Sequence, residues 1–143
     1  MTPGGTAAIQ QYQQIDTQSI IESATPHRVI QLMMEWALLK IGRARGHMES
    51  GEISDKGENI GSAISIISGL QASLNHSTNT RMSENFDALY SYMMRRLLEA
   101  NLHDDVGILD EVTGLLSELK EAWDAIADQA NQTEAAESSE SSS

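Results

Sequence analysis

Cysteine is absent from this 143-residue chain, which excludes disulfides, thiolate nucleophiles and cysteine-based metal centres. Proline occurs twice and phenylalanine once; with abundant Leu, Ile, Met and Ala, that composition favours helix. Basic residues are scarce too: 9 Lys and Arg face 21 Asp and Glu, a net charge of −12. A nucleic-acid binder needs a basic face to meet phosphates, and an anionic membrane surface attracts basic segments, so neither partner is expected. No apolar run approaches the ~20 residues of a membrane span. The opening, Met1 to Ala8, has neither the basic nor the apolar region of a secretory signal. A soluble cytoplasmic protein is the expectation.

The acidity is uneven. Residues 1–103 hold 10 acidic and 8 basic side chains, whereas residues 104–143 hold 11 acidic side chains and Lys120 alone. From Asn131 to Ser143 no aliphatic residue larger than Ala occurs. Such a stretch buries too little to offset its ordering entropy, so residues 129–143 are expected to be a disordered acidic tail. The first 25 residues are expected to be a flexible arm; Tyr12, Ile15, Ile20 and Ile21 give it apolar character without a core of its own.

Four helical patterns lie between. Thr25-Pro26 opens the first, a capping residue followed by a proline suited to the first turn. Ile30, Met33, Ala37, Ile41, Ala44 and Met48 recur at helical spacing, and Val29, Leu32, Trp36 and Leu39 widen the apolar arc beyond what one neighbour covers. Ile60, Ile64, Ile67, Leu70 and Leu74 mark the second, where Gly57 and Gly61 leave a smooth strip one turn long. Met82, Phe86, Leu89, Met93, Leu97 and Ala100 mark the third. Leu109, Val112, Leu116, Leu119, Trp123 and Ile126 alternate spacings of three and four, a heptad seam. Short connections favour antiparallel neighbours. The expected fold is all-α: an antiparallel up-down-up-down four-helix bundle over residues 26–128 with an N-terminal arm.

Catalytic motifs are missing. No Glu has a His three positions on, as a di-iron bundle requires, and no Walker loop, GxGxxG, HExxH or GxSxG occurs. The four histidines share no motif. No enzyme activity, cofactor or metal is expected. The candidate contact residues are apolar or aromatic instead. Trp36 widens the first helix, Gly57, Gly61 and Ile64 line the second, and Tyr90 and Tyr92 cannot share one helical face. Met34 and Met94 lie beside the core stripes, as adaptable surface methionines do. Tyr12, Ile15 and Ile20 complete the set from the arm.

The order of these pieces resembles the flagellar export chaperone family FliS. The resemblance rests on Tyr12 ahead of the first helix, Thr25-Pro26-His27-Arg28-Val29-Ile30, and Met48-Glu49-Ser50-Gly51-Glu52-Ile53. It extends through Ala63-Ile64-Ser65-Ile66-Ile67, Asn85-Phe86-Asp87-Ala88-Leu89-Tyr90-Ser91-Tyr92-Met93, and Leu119-Lys120-Glu121-Ala122-Trp123. Met34-Glu35-Trp36-Ala37 departs from the family's Tyr-Asp-Gly-Ala. The resemblance implies a cytoplasmic chaperone that holds the disordered C-terminal segment of flagellin, prevents its premature polymerisation and delivers it to the flagellar export apparatus. Read from the residues alone, a helical adaptor or oligomerising bundle with a folded partner is the alternative, and uncovered grooves leave room for two copies to pair.

Overall fold

The computed structural model describes residues 25–74 and 80–141, with side chains through 126 in the last helix. Among them are four helices and no strand: α1 (Pro26–Glu49), α2 (Ile53–Ala72), α3 (Thr80–His103) and α4 (Val106–Ser141). The Thr25 hydroxyl accepts from the Arg28 amide at 3.2 Å, and Pro26 fills the first turn, so one free amide is satisfied and the position least in need of an N–H lacks one. Gly51 takes the left-handed conformation (φ 72°) that ends α1, a conformation glycine adopts at no steric cost. Asp104 does the same between α3 and α4 (φ 51°), and the Asp105 carboxylate accepts from the Ile108 amide at 3.3 Å to cap α4.

Cross-helix pairs establish direction. Gln31 near the start of α1 donates to Asp124 on α4 at 2.8 Å, and Arg45 near its end donates to Asp110 near the start of α4 at 2.7 Å. On α2, Lys56 donates to the Asn101 carbonyl at 3.1 Å, whereas Gln71, fifteen residues on, donates to Ser91 at 2.8 Å. Arg96 of α3 meets Glu111 of α4 at 2.9 Å. The helices thus run antiparallel in a closed ring, each packed on the preceding and following one, with α4 returning to α1.

The core is where four apolar stripes meet: Met34, Ile41, Ile60, Ile67, Leu70, Tyr90, Met93, Leu97, Leu109 and Leu116 are buried at its centre. Each such side chain contributes about 1.5–3 kcal/mol through burial. The heptad reading of α4 matches, with Leu109, Val112, Leu116 and Leu119 buried and Trp123 half-buried. Met34 is a correction: expected at the surface, it is 0 % exposed, while Met33 is only half-buried. The expected Ala37, Ile41 and Ala44 are buried against α2 and α4, and Met34, three residues before Ala37, continues that buried face where Met33 does not. The α4 backbone continues to Ser141, into the stretch read from composition as a tail; Ala, Glu and Gln there are good helix formers. The N-terminal arm lies outside the described residues.

At the open end of the bundle the Trp123 indole donates to the His27 carbonyl at 2.9 Å, and the two rings lie 5.0 Å apart. This contact ties the first turn of α1 to α4. No helix among the described residues is long and apolar enough to cross a membrane.

Candidate binding groove

Three of the four seams of the ring are closed by different chemistry. Between α1 and α4, Arg45 joins Asp110 at 2.7 Å and Lys120 meets Glu35 at 3.7 Å, while Arg45–Glu49 within α1 and Lys120–Asp124 within α4 hold those cations in place. Arg45 holds the Asp110 carboxyl below its ordinary value, and hydrogen bonds from Lys120 and then Gln31 do the same for Asp124. Between α3 and α4, Glu111 accepts from both Arg96 and the Tyr92 hydroxyl. Those hydrogen bonds, Arg96 first, lower the Glu111 carboxyl, while the same carboxylate raises the Tyr92 phenol. Both seams of α4 are therefore laced with charge.

The α2–α3 seam is built otherwise. Gly57, Gly61, Ile64, Ser68 and Gln71 recur at spacings of four and three along α2, so they form one row. Asp87, Ser91, Met94, Leu98 and Asn101 form the facing row on α3. Polar clasps hold the two ends of the seam. Lys56 donates to the Asn101 carbonyl at 3.1 Å and pairs with Asp104, and Gln71 donates to the Asp87 carbonyl at 3.1 Å and to Ser91 at 2.8 Å. Between the clasps no ion pair crosses among the described residues. A methyl group placed on Gly57 would meet Asn101 Oδ1 only at 4.0 Å, and one placed on Gly61 would meet nothing within 4 Å. Ile64 and Met94 pack on the core yet stay half-exposed, and Leu98 is 59 % exposed. The result is a groove whose middle carries no charge, with Gly57 and Gly61 along one side and Met94 and Leu98 along the other, clasped at both ends.

Four of the residues singled out from the sequence converge here: Gly57, Gly61, Ile64 and Met94. The others do not. Trp36 is half-buried on α1, on the side that carries the 49 %-exposed Leu39. Tyr92 sits in the α3–α4 seam, bonded to Glu111. Tyr90 leaves the set of surface candidates: it is 2 % exposed, its ring edge-on to Phe86 at 6.2 Å, and burial pushes its phenol up to about 12. Tyr12, Ile15 and Ile20 lie outside the described residues. Sequence reasoning missed Leu98 and, one turn on, the 76 %-exposed Leu102. Met94, Leu98 and Leu102 repeat every four residues, a second apolar ridge beside the core stripe that was there to be read. At the α1–α2 corner His47, Glu52 and Asp55 bring ligand atoms within 4.8 Å of one another, all of them from residues at least partly exposed, a grouping ordinary on an acidic surface.

The family model described as "Flagellar protein FliS" matches residues 8–130. The chain belongs to the FliS family. A FliS relative in Pseudomonas aeruginosa, the flagellar secretion chaperone FliSB, is 45 % identical over 119 residues, covering 83 % of this chain and 94 % of the relative. The flagellar secretion chaperone FliS of Salmonella typhimurium is 40 % identical over 126 residues, covering 87 % and 93 %. A solved structure described as a flagellar chaperone from bacteria shares the fold at a TM-score of 0.69 and 15 % identity, over 84 % of this chain and 98 % of that one. The FliS match takes in the positions of Tyr12, Ile15 and Ile20, all of α1, α2 and α3 and α4 as far as residue 130, and ends before the last Ser- and Glu-rich residues.

Proposed function

We propose that this FliS protein is a cytoplasmic chaperone that holds the C-terminal segment of flagellin as an amphipathic helix in the α2–α3 groove, prevents its premature polymerisation and delivers it to the flagellar export apparatus. The observation that carries this reading is the contrast between seams: α4 is laced in by ion pairs on both sides, whereas α2 and α3 are clasped only at their ends. A helix laying its apolar face into such a groove needs small residues on the floor and apolar walls, which Gly57 and Gly61, with Ile64, Met94 and Leu98, supply. The names of the relatives support a flagellar cargo.

An unfilled apolar groove invites aggregation. On this reading the arm, through Tyr12, Ile15 and Ile20, covers apolar surface until the client displaces it, and a second copy takes that place when the arm is removed. Trp36 widens the surface on the α1 side.

Calorimetric titration with a flagellin C-terminal peptide tests the reading. Binding with a large negative heat-capacity change is expected, as coupled folding and burial require. Gly61→Leu, which fills the groove where nothing lies within 4 Å, is expected to weaken binding by about tenfold or more. Unchanged affinity in Gly61→Leu and Met94→Asp would remove the groove from the mechanism. Binding of a folded partner with little heat-capacity change would favour the adaptor instead. Deleting residues 1–18 is expected to tighten client binding or increase self-association, and no change in either ends the cover idea.

A further inference from the structure

We propose that the bundle corner where α2 begins and α3 ends is a second docking surface, for a basic peptide segment carrying apolar anchors. Among the described residues, the two large apolar side chains that project furthest into solvent are there: Ile53, 73 % exposed in the first turn of α2, and Leu102, 76 % exposed in the last turn of α3. Lys56 brings the two helix ends together, since its ammonium donates to the Asn101 carbonyl at 3.1 Å and pairs with Asp104. Beside Ile53 a recess of about 210 Å³ opens, walled by His47, Met48, Glu52 and Asp104.

Acid outnumbers base around these anchors. Residues 49–58 contain four acidic side chains and one basic, and residues 99–105 contain three acidic side chains and no Lys or Arg. Glu49, Glu52, Glu99 and Asp104 are paired with Arg45, His47, Arg96 and Lys56 respectively, and Lys56 is 5 % exposed, so the charge left over at the corner is acidic. Asp55 and Glu58 are exposed and form no ion pair among the described residues. The mouth of the recess therefore presents a negative field around apolar contacts, which attracts and orients a segment of opposite charge.

That chemistry excludes other occupants. A second copy would bring the same acids face to face, which costs binding, and anionic nucleic acid or lipid is repelled for the same reason. The α2–α3 groove differs because its middle is uncharged and suits an apolar client. The acid-ringed corner adjoins the Lys56–Asp104 end of that groove, so a chaperone built this way can hold cargo along the neutral middle and meet a basic receptor at its end.

The test uses the full chain and a fluorescent amphipathic peptide of Leu and Lys, read by anisotropy at several salt concentrations. Binding is expected, weakening steeply with salt. Ile53→Ser with Leu102→Ser should weaken it about tenfold; both side chains are mostly exposed, so the fold is kept. Asp55→Asn with Glu58→Gln should weaken binding and flatten the salt dependence. Glu118→Gln with Glu121→Gln, which removes the same charge from the exposed face of α4, should leave binding unchanged. The proposal is overturned if the peptide does not bind, if the corner variants bind as the parent does, or if the α4 pair weakens binding equally. The corner variants should still bind the flagellin peptide. Failure of the parent chain to bind that peptide would count against the client groove alone.

Discussion

The side-chain amide of Gln71 reaches across from α2 to the Ser91 hydroxyl at 2.8 Å and to the Asp87 carbonyl at 3.1 Å. This contact closes one end of the groove without filling its middle. Replacing Gln71 by Ala removes both hydrogen bonds at a half-buried site, for an expected loss of about 1–2 kcal/mol. Denaturant unfolding measures that loss, and a change of client affinity in the same variant would tie the clasp to the shape of the groove.

The glycines of α2 should separate by sign. At Gly61 an added methyl meets nothing within 4 Å, so Gly61→Ala should stabilise the helix by about 0.5–1 kcal/mol. At Gly69 the methyl would lie 3.0 Å from Met33 Cε. Met33 must then shift, and Gly69→Ala should gain less or lose stability. Thermal melts of the two variants, compared with the parent chain, check the ordering.

Lys56 is a charged residue in an apolar stripe, with Ile60, Ala63 and Ile67 on the same face. Its ammonium is held by the last turn of α3 and by Asp104. Removing Asp104 leaves that ammonium with one partner fewer, so Asp104→Ala should destabilise by about 1–3 kcal/mol. Lys56→Met, which replaces the charge with an apolar group of similar length, should cost less than Asp104→Ala. Chemical denaturation of the pair decides it.

Three carboxyls that lace α4 into the ring, Asp110, Glu111 and Asp124, are held below their ordinary values by Arg45, Arg96 and Lys120 respectively. A carboxyl that gives up its proton more readily when folded stabilises the fold fully above its unfolded value, 3.8 for Asp and 4.5 for Glu. That stabilisation is lost as pH falls through the lower folded value. Melting temperature should therefore drop on acidification from pH near 5 to pH near 2. The drop should be shallower in an Asp110→Asn, Asp124→Asn double variant, and identical slopes would sink the assignment.

Much of this architecture was legible along the chain because it follows from local chemistry. Thr25-Pro26 and Gly51 bound α1, and the alternating three- and four-residue spacing from Leu109 to Leu119 names the buried face of α4. The groove was legible only in part. Gly57, Gly61, Ile64 and Met94 were picked as contact residues, but core and groove side chains share one chemistry. The same reasoning that selected them also selected Tyr90, which is buried, and placed Met34 outside when it is wholly inside.

Periodicity and capping by themselves determine four helices, their order and their antiparallel course, because each depends on residues close in sequence, while the ordered set of motifs carries the resemblance to the family. Which seam is laced shut and which is left open was decided only in three dimensions. Arg45 finds Asp110, Arg96 finds Glu111, and Gln71 finds Ser91 across distances in sequence that no local pattern encodes. A side chain's exposure is set by all the helices around it, so the surface free to hold a partner emerges only when they close into a ring.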